Sequence, residues 1–95
     1  MCIRDSNTSA PLFLYVAFQD NHAPNQCPLK YLNRFPELPA TLSRQCYNGM
    51  MAAMDDSIGE ITRAVRARAE LYSNSIIIFS TDNGGPGQDA NNLPL

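Results

Sequence analysis

A carboxylate and an amide follow a largely apolar run in this 95-residue chain, where together they could bind a cation. Asp82 and Asn83 come just after the run at 75–80, and Gly84 and Gly85 follow them. Carboxylate and amide oxygens are the donors that calcium and magnesium prefer. Two such residues leave most of the roughly six to eight positions around calcium unfilled. The sequence therefore predicts part of a cation site, which ligands from elsewhere must complete.

His22 is a second candidate, because it follows another apolar run, at 11–18. It is the only histidine of the chain, and a lone histidine is more often a structural side chain than a catalyst. Its position just past an apolar run, between Asn21 and Pro24, favours a functional role instead. Histidine also exchanges its proton near neutral pH, so His22 is a candidate catalytic residue.

The elements that must position these residues are two strands and a helix. The runs at about 11–18 and 75–80 are typical of strands that are covered on both faces, as in a parallel sheet. Between them, apolar residues recur at spacings of three and four, which predicts a helix at about 43–69 with one face packed on the sheet. That face comprises Tyr47, Met51, Met54, Ile58, Ile61 and Val65.

Strand, helix and strand in this order predict a right-handed βαβ unit of an α/β fold. The carboxyl ends of its two parallel strands lie at one edge of the sheet, where open α/β sheets bind ligands. We therefore expect the topology to bring His22 to the same site as Asp82 and Asn83.

Single proline, glycine and aspartate residues in the helical region also predict details of its packing. Pro28 can begin a short helical turn, because proline is favoured at the first helical position. Gly59 inside the long helix costs about 1 kcal/mol relative to alanine, which predicts a close approach by another backbone. Asp55 and Asp56 lie near the middle of the helix, where they are either solvated or hold a neighbouring loop.

Composition limits the size and the class of the protein. Ninety-five residues, 44% hydrophobic and 17% charged, form at most one small domain, which we assign to 11–95, with 1–10 as an unstructured or foreign tail. A net charge of −2 without a basic cluster argues against nucleic acid as a partner. The longest apolar run, at 12–18, is too short to span a membrane, and no signal peptide is visible.

The three cysteines show no metal-binding spacing. We interpret Cys2, Cys27 and Cys46 as isolated thiols, with a disulfide between Cys27 and Cys46 as an alternative if the chain is exported. Asn7 begins a glycosylation sequon, which matters only in the secretory pathway. No nucleophile elbow or phosphate-binding loop is present. The residues alone thus predict no more than part of a metal-dependent site.

Several segments together resemble successive parts of the type I sulfatases, and most closely the arylsulfatase B group. The most specific is the Ser-Thr-Asp-Asn-Gly-Gly segment at 80–85. The resemblance runs in order from about Pro11 to Leu95 and covers a middle portion of a much longer family domain. The segments that carry it are 11–19, 22–24, 47–50, 54–55, 58–59, 78–85 and 91–95.

The resemblance implies an alkaline-phosphatase-like α/β fold and a calcium-dependent hydrolysis of sulfate esters. The substrates would be aryl sulfates or the sulfated sugars of glycosaminoglycans. By this resemblance Asp82 and Asn83 are calcium ligands, and His22 contacts the sulfate and helps the leaving oxygen to depart. It also implies a glycoprotein that is lysosomal or secreted, because the family works in these places.

Other parts of the family site are absent from the chain. The family nucleophile is a formylglycine made from the cysteine of a Cys-x-Pro-x-Arg sequence, and no cysteine here begins that pattern. The family's early aspartate pair and a later basic residue are missing too. We therefore expect a fragment of a sulfatase that is inactive alone. Two alternatives stay open: a catalytically dead module that binds sulfated glycans, and a zinc- or manganese-dependent phosphodiesterase, which the single histidine disfavours.

Overall fold

The computed structural model describes residues 10–36 and 41–92, and its regular structure in these ranges is helical. Helix α1 spans Leu29–Leu32, α2 spans Leu42–Arg66 and α3 spans Ala69–Ser73. None of these three helices is long and apolar enough to cross a membrane. Most of the predicted tail, with Cys2 and Asn7, lies outside the described residues, and so does 93–95. The assignment of 11–95 to one domain stays a prediction.

The helix predicted at about 43–69 is confirmed as α2, with slightly different ends. The Thr41 side chain caps it by accepting a hydrogen bond from the Arg44 backbone nitrogen at 3.2 Å. The helix ends at Arg66, because Arg68 has non-helical dihedral angles, φ −116° and ψ 86°. The short helix α3 begins directly after this break, so helical structure continues beyond the predicted end.

The covered face of α2 differs from the predicted one. Tyr47 and Val65 are buried as predicted, but Met51 is exposed and Met50 is buried in its place. The other three predicted residues are half-buried. The prediction assumed packing on a sheet, whereas α1 and the segment before it pack against the side of α2 that carries Gly49.

Gly49, not Gly59, marks the close approach of another segment to α2. A methyl group at Gly49 would lie 2.9 Å from Cys27 Sγ and 3.3 Å from the Leu32 backbone nitrogen. A methyl group at Gly59 would meet nothing within 4 Å among the described residues. The prediction for Gly59 is therefore wrong, because the approaching segment crosses α2 nearer to its amino terminus.

Helix α1 is a single turn that packs against α2 and is linked to it by an ion pair. Pro28 is its cap residue, so the predicted short turn is confirmed with Pro28 one position before the first helical residue. Tyr31 is buried, with Lys30 and Arg34 lying over its ring, 4.5 and 4.8 Å from the centroid. Arg34 also makes a bidentate ion pair with Asp56, at 2.7 and 3.2 Å. Asp56 thus holds a neighbouring loop, as one of the two interpretations predicted.

The two predicted strands, at 11–18 and 75–80, are not formed, since the described residues contain no β-bridge. Most of their large side chains are exposed, and Phe13 and Ile76 each expose 90% of their surface. A strand needs a hydrogen-bonded neighbour, and a strand covered on both faces needs a layer on each side. The described residues supply neither to these runs. The predicted βαβ unit is therefore not confirmed.

A hydrogen-bonded loop follows the second apolar run. Asn92 closes it, because Gly85 N donates to Asn92 Oδ1 at 3.0 Å and Asn92 Nδ2 donates to the Gly85 carbonyl at 2.8 Å. Within the loop, the Asp89 backbone nitrogen donates to the Pro86 carbonyl at 3.0 Å. Gly85 also packs against Tyr47, whose hydroxyl oxygen would lie 2.6 Å from a methyl group at residue 85. These contacts attach the loop to α2.

Candidate functional site

Asp82 and Asn83 form a small turn whose polar groups bond to their neighbours. Asp82 Oδ1 accepts a hydrogen bond from the Asn83 backbone nitrogen at 2.8 Å, and Asn83 Nδ2 donates to the Gly84 carbonyl at 2.7 Å. Thr81 Oγ1 donates to the Asn83 carbonyl at 2.7 Å. Both side chains are exposed. Asp82 Oδ2 and Asn83 Oδ1 make no hydrogen bond within the described ranges, so two oxygens of the type that calcium prefers are available.

The ring of His22 is oriented by its own backbone neighbour. Its Nδ1 lies 2.8 Å from the Ala23 carbonyl oxygen. Because a carbonyl oxygen only accepts, Nδ1 carries the proton in this contact. The ring is exposed, and its Nε2 makes no hydrogen bond in the part of the chain that the structure describes. The contact to Ala23 thus orients the ring of His22.

Asn21 anchors the turn that precedes His22. It has a positive φ of 69°, a left-handed conformation that asparagine tolerates better than most residues. Its side-chain amide nitrogen donates to Met51 Sδ on α2, while its Oδ1 is buried without a hydrogen bond. The backbone before His22 is therefore tied to the helix.

The described contacts do not join His22 to Asp82 or Asn83. No hydrogen bond or ion pair links them within 10–36 and 41–92. In the same ranges, no group of three or more His, Cys, Asp or Glu side chains could hold a metal ion. Their convergence depended on two paired strands, which are not formed there. The assignment of these residues to one site stays a prediction.

A buried polar cluster, which no sequence pattern indicated, lies at the start of α2. Its centre is Asp89, which is 6% exposed. Asp89 Oδ2 accepts hydrogen bonds from Asn25 Nδ2 and Ser43 Oγ, each at 3.0 Å, and Asn25 Nδ2 also donates to Ser43 Oγ at 2.9 Å. The three residues are 18, 46 and 64 positions apart, so no local pattern could have found them.

This polar cluster connects the two segments that carry the candidate site residues. Asn25 follows His22 by three positions, and Asp89 lies in the loop that follows Asn83. Ser43 belongs to the first turn of α2, where the helix dipole favours a negative charge. The two donors offset part of the cost of burying the Asp89 carboxylate. Both segments are therefore fixed to the same helix end.

An open cavity of about 650 Å³ lies beside the cluster, and Cys27 and Cys46 form part of its wall. Their sulfurs are 2.9 Å apart, with Cys46 donating to Cys27, and neither is in a disulfide. Burial, together with the contact to Cys27, raises the pKa of Cys46 to about 11, so Cys46 is a neutral thiol at pH 7. Both residues are free thiols, as the sequence interpretation had it, but they are not isolated from each other, because the fold brings them into contact.

Comparison with known proteins decides the family. A family model described as Sulfatase matches residues 2–94. The chain belongs to the sulfatase family. Arylsulfatase J of Mus musculus is 42% identical to it over 86 residues, which are 90% of this chain and 14% of that protein. This sulfatase-family chain therefore spans about 14% of the length of that curated relative. No solved structure matches the chain significantly.

Membership of the sulfatase family implies an alkaline-phosphatase-like α/β fold, the fold class that the sequence predicted. As the strands that the sequence predicts, the apolar runs at 11–18 and 75–80 would require neighbours in a sheet. The described residues do not supply them, and this accounts for the exposure of both runs.

Proposed function

We propose that this chain is part of a calcium-dependent sulfatase that works in the lysosome or outside the cell. Its substrates are sulfate esters, either aryl sulfates or sulfated glycosaminoglycan sugars. The observation that carries the proposal is the Ser-Thr-Asp-Asn-Gly-Gly segment at 80–85, in a chain that matches the sulfatase family model from 2 to 94. The relative with 42% identity is itself named an arylsulfatase. Because the chain covers 14% of that relative, we assign the activity to a longer parent protein.

Asp82 and Asn83 supply two of the calcium ligands. Their oxygens Oδ2 and Oδ1 are those that make no hydrogen bond in the described residues, and both side chains are exposed. A carboxylate and an amide oxygen suit a hard cation, but only as part of a larger set of about six to eight donors. The remaining ligands come from outside this chain. When bound, calcium supplies positive charge that stabilises the sulfate oxygens.

His22 contacts the sulfate and, as the imidazolium with a proton on each ring nitrogen, gives its Nε2 proton to the oxygen that leaves. The hydrogen bond from Nδ1 to the Ala23 carbonyl orients the ring and assigns the proton transfer to Nε2. A positioned acid lowers the barrier, because the departing alcohol oxygen does not have to carry a full negative charge. The formylglycine nucleophile is not encoded in these residues, since no cysteine begins a Cys-x-Pro-x-Arg sequence. We therefore expect the 95-residue chain alone to be inactive.

Substitutions in the intact parent protein test these roles. Asp82→Ala should remove bound calcium and lower kcat for a chromogenic aryl sulfate by roughly 1,000-fold or more, because the charge that stabilises the transition state is lost. His22→Ala should lower kcat while bound calcium is retained. Calcium is measured by metal analysis of the purified protein. Asp55→Asn is the matched control, because Asp55 is exposed on α2 and makes no described hydrogen bond.

Each outcome bears on a different part of the proposal. An Asp82→Ala protein that keeps both its calcium and its rate would contradict the calcium assignment. A His22→Ala protein that loses calcium would assign His22 to the metal instead of the leaving oxygen. An intact parent that binds calcium and sulfated sugars but shows no turnover would favour the binding module without catalysis.

A further inference from the structure

The thiols of Cys27 and Cys46 meet inside the packed part of the chain. Their sulfurs are 2.9 Å apart, Cys46 is 8% exposed and Cys27 is half-buried. A disulfide has its sulfurs about 2.05 Å apart, so the bond can close with a relative movement of less than about 1 Å. The pair has no role in the proposed sulfate site.

The packing around α2 holds Cys27 beside Cys46. Gly49 lies three residues after Cys46, on the same face of the helix. A methyl group at Gly49 would lie 2.9 Å from Cys27 Sγ and 3.3 Å from Cys27 Cβ, so Cys27 occupies a notch that exists because residue 49 has no side chain. Helix α1 begins two residues after Cys27 and packs on α2. This geometry gives the two thiols a high effective concentration.

We propose that Cys27 and Cys46 are a disulfide site that cross-links the segment before α1 to helix α2. The oxidant is a disulfide RSSR, either a small molecule or a protein. The thiolate of Cys27, the more exposed residue, attacks RSSR, forms a mixed disulfide and releases RS⁻. Cys46 then loses its proton, attacks the Cys27 sulfur and releases a second RS⁻. Two protein thiols are thereby oxidised, and one RSSR is reduced to two RSH.

The cross-link restrains a segment that carries important polar residues. His22 and Asn25 lie five and two positions before Cys27. A covalent bond to α2 limits the movement of this segment, which keeps Asn25 within reach of Asp89. Cys27 and Cys46 are 19 positions apart. For a closed loop of this size, the chain-entropy model gives a thiol–disulfide equilibrium on the order of 100-fold more favourable in the folded than in the unfolded chain.

The thiol–disulfide equilibrium of the chain tests the proposal. A Cys2→Ser chain, which retains only the two cysteines of interest, is equilibrated with reduced and oxidised glutathione. The cross-linked fraction is then measured by mass spectrometry after alkylation. We expect the equilibrium constant to be on the order of 100-fold higher in buffer than in concentrated guanidinium chloride. Equal constants in the two solvents would overturn the proposal.

Two alanine substitutions in α2 distinguish the specific geometry from general stability. Gly49→Ala places a methyl group in the space of Cys27 Sγ and should lower the equilibrium constant severalfold. Gly59→Ala adds the same group where nothing lies within 4 Å of it in the described structure, and it should leave the constant unchanged. Both substitutions raise helix propensity to a similar extent. Equal effects of the two substitutions on the equilibrium constant would contradict the proposal. A random mixture of disulfides among Cys2, Cys27 and Cys46 in the unsubstituted chain would also contradict it.

Discussion

The packed region around α2 and the two apolar runs contain similar side chains in opposite environments. Tyr47 and Met50 on α2 are 9% and 6% exposed, whereas Phe13 and Ile76 in the runs are both 90% exposed. The helix satisfies its own backbone hydrogen bonds and needs a cover over one face only. A strand satisfies none of its backbone groups by itself and needs partners at its edges and on its faces. Apolar character alone therefore does not bury a segment.

The exposed runs also lead to an expectation about the proposed longer parent protein. Contiguous exposed apolar surface marks a site of interaction, and unpaired extended segments associate readily with other strands. Since the chain belongs to the sulfatase family, we expect both runs to be covered by the sheet of the alkaline-phosphatase-like fold in the longer parent. The apolar side chains of the two runs should then be as buried in that parent as those of α2.

The largest loss of stability is expected when an aromatic residue is removed from the packed region, and almost none when one is removed from an apolar run. Tyr47→Ala should lower the free energy of unfolding of the 95-residue chain by about 3 to 5 kcal/mol, because it empties a buried position. Phe13→Ala should change it by less than about 0.5 kcal/mol, because that ring is exposed. Both are measured by urea titration. In the longer parent Phe13→Ala should cost about as much as Tyr47→Ala, and equal costs in the short chain would contradict the comparison.

A smaller effect is expected from the buried carboxylate. Asp89→Ala should lower the free energy of unfolding by about 2 kcal/mol, because Asn25 and Ser43 lose their common acceptor. Asp82→Ala in the same chain is the control, because Asp82 is exposed and bonds only to its neighbour. Urea titration at neutral pH compares the two variants. A loss of stability as large for Asp82→Ala would show that the polar cluster adds nothing specific.

The smallest effect is expected from alkaline pH on the reduced chain. The folded state raises the pKa of Cys46 to about 11, so it holds this proton more tightly than the unfolded state, where the value is 9.0. Protonation of Cys46 contributes fully to the free energy of unfolding below about pH 9, and this contribution is lost as the pH rises through about 11. The loss is roughly 1 kcal/mol at pH 10. Urea titrations at neutral pH and at about pH 10 measure the loss. Cys46→Ser should lack this component, because it has no thiol at this position.

Much of the fold around α2 could be predicted from the sequence, but not its contacts. The spacing of apolar residues predicted the helix, and its ends agree within a few residues. The choice between Met50 and Met51 as the buried residue could not be predicted, because it depends on which segment packs against the helix. For the same reason the close approach was assigned to Gly59 and found at Gly49.

Part of the candidate site could likewise be predicted from the sequence, and part could not. The turn at Asp82 and Asn83 depends on hydrogen bonds between adjacent residues, and the chemistry of its oxygens could be read directly from the residue types. The polar cluster around Asp89 could not, because its members come together only through the packing of two loops on one helix end. The convergence of His22 with Asp82 depends on a sheet that the described residues do not form.

The sequence by itself determined helix α2, the sulfatase family and the residue types at 80–85. These features depend on local hydrogen bonds and on residue identity. Only the tertiary structure decided which face of α2 is covered, that Cys27 meets Cys46, and that Asp89 is buried against Asn25 and Ser43. Such contacts join positions 18 to 64 residues apart, and they form only where the packing of α1 and the loops repays the entropy of closing the chain.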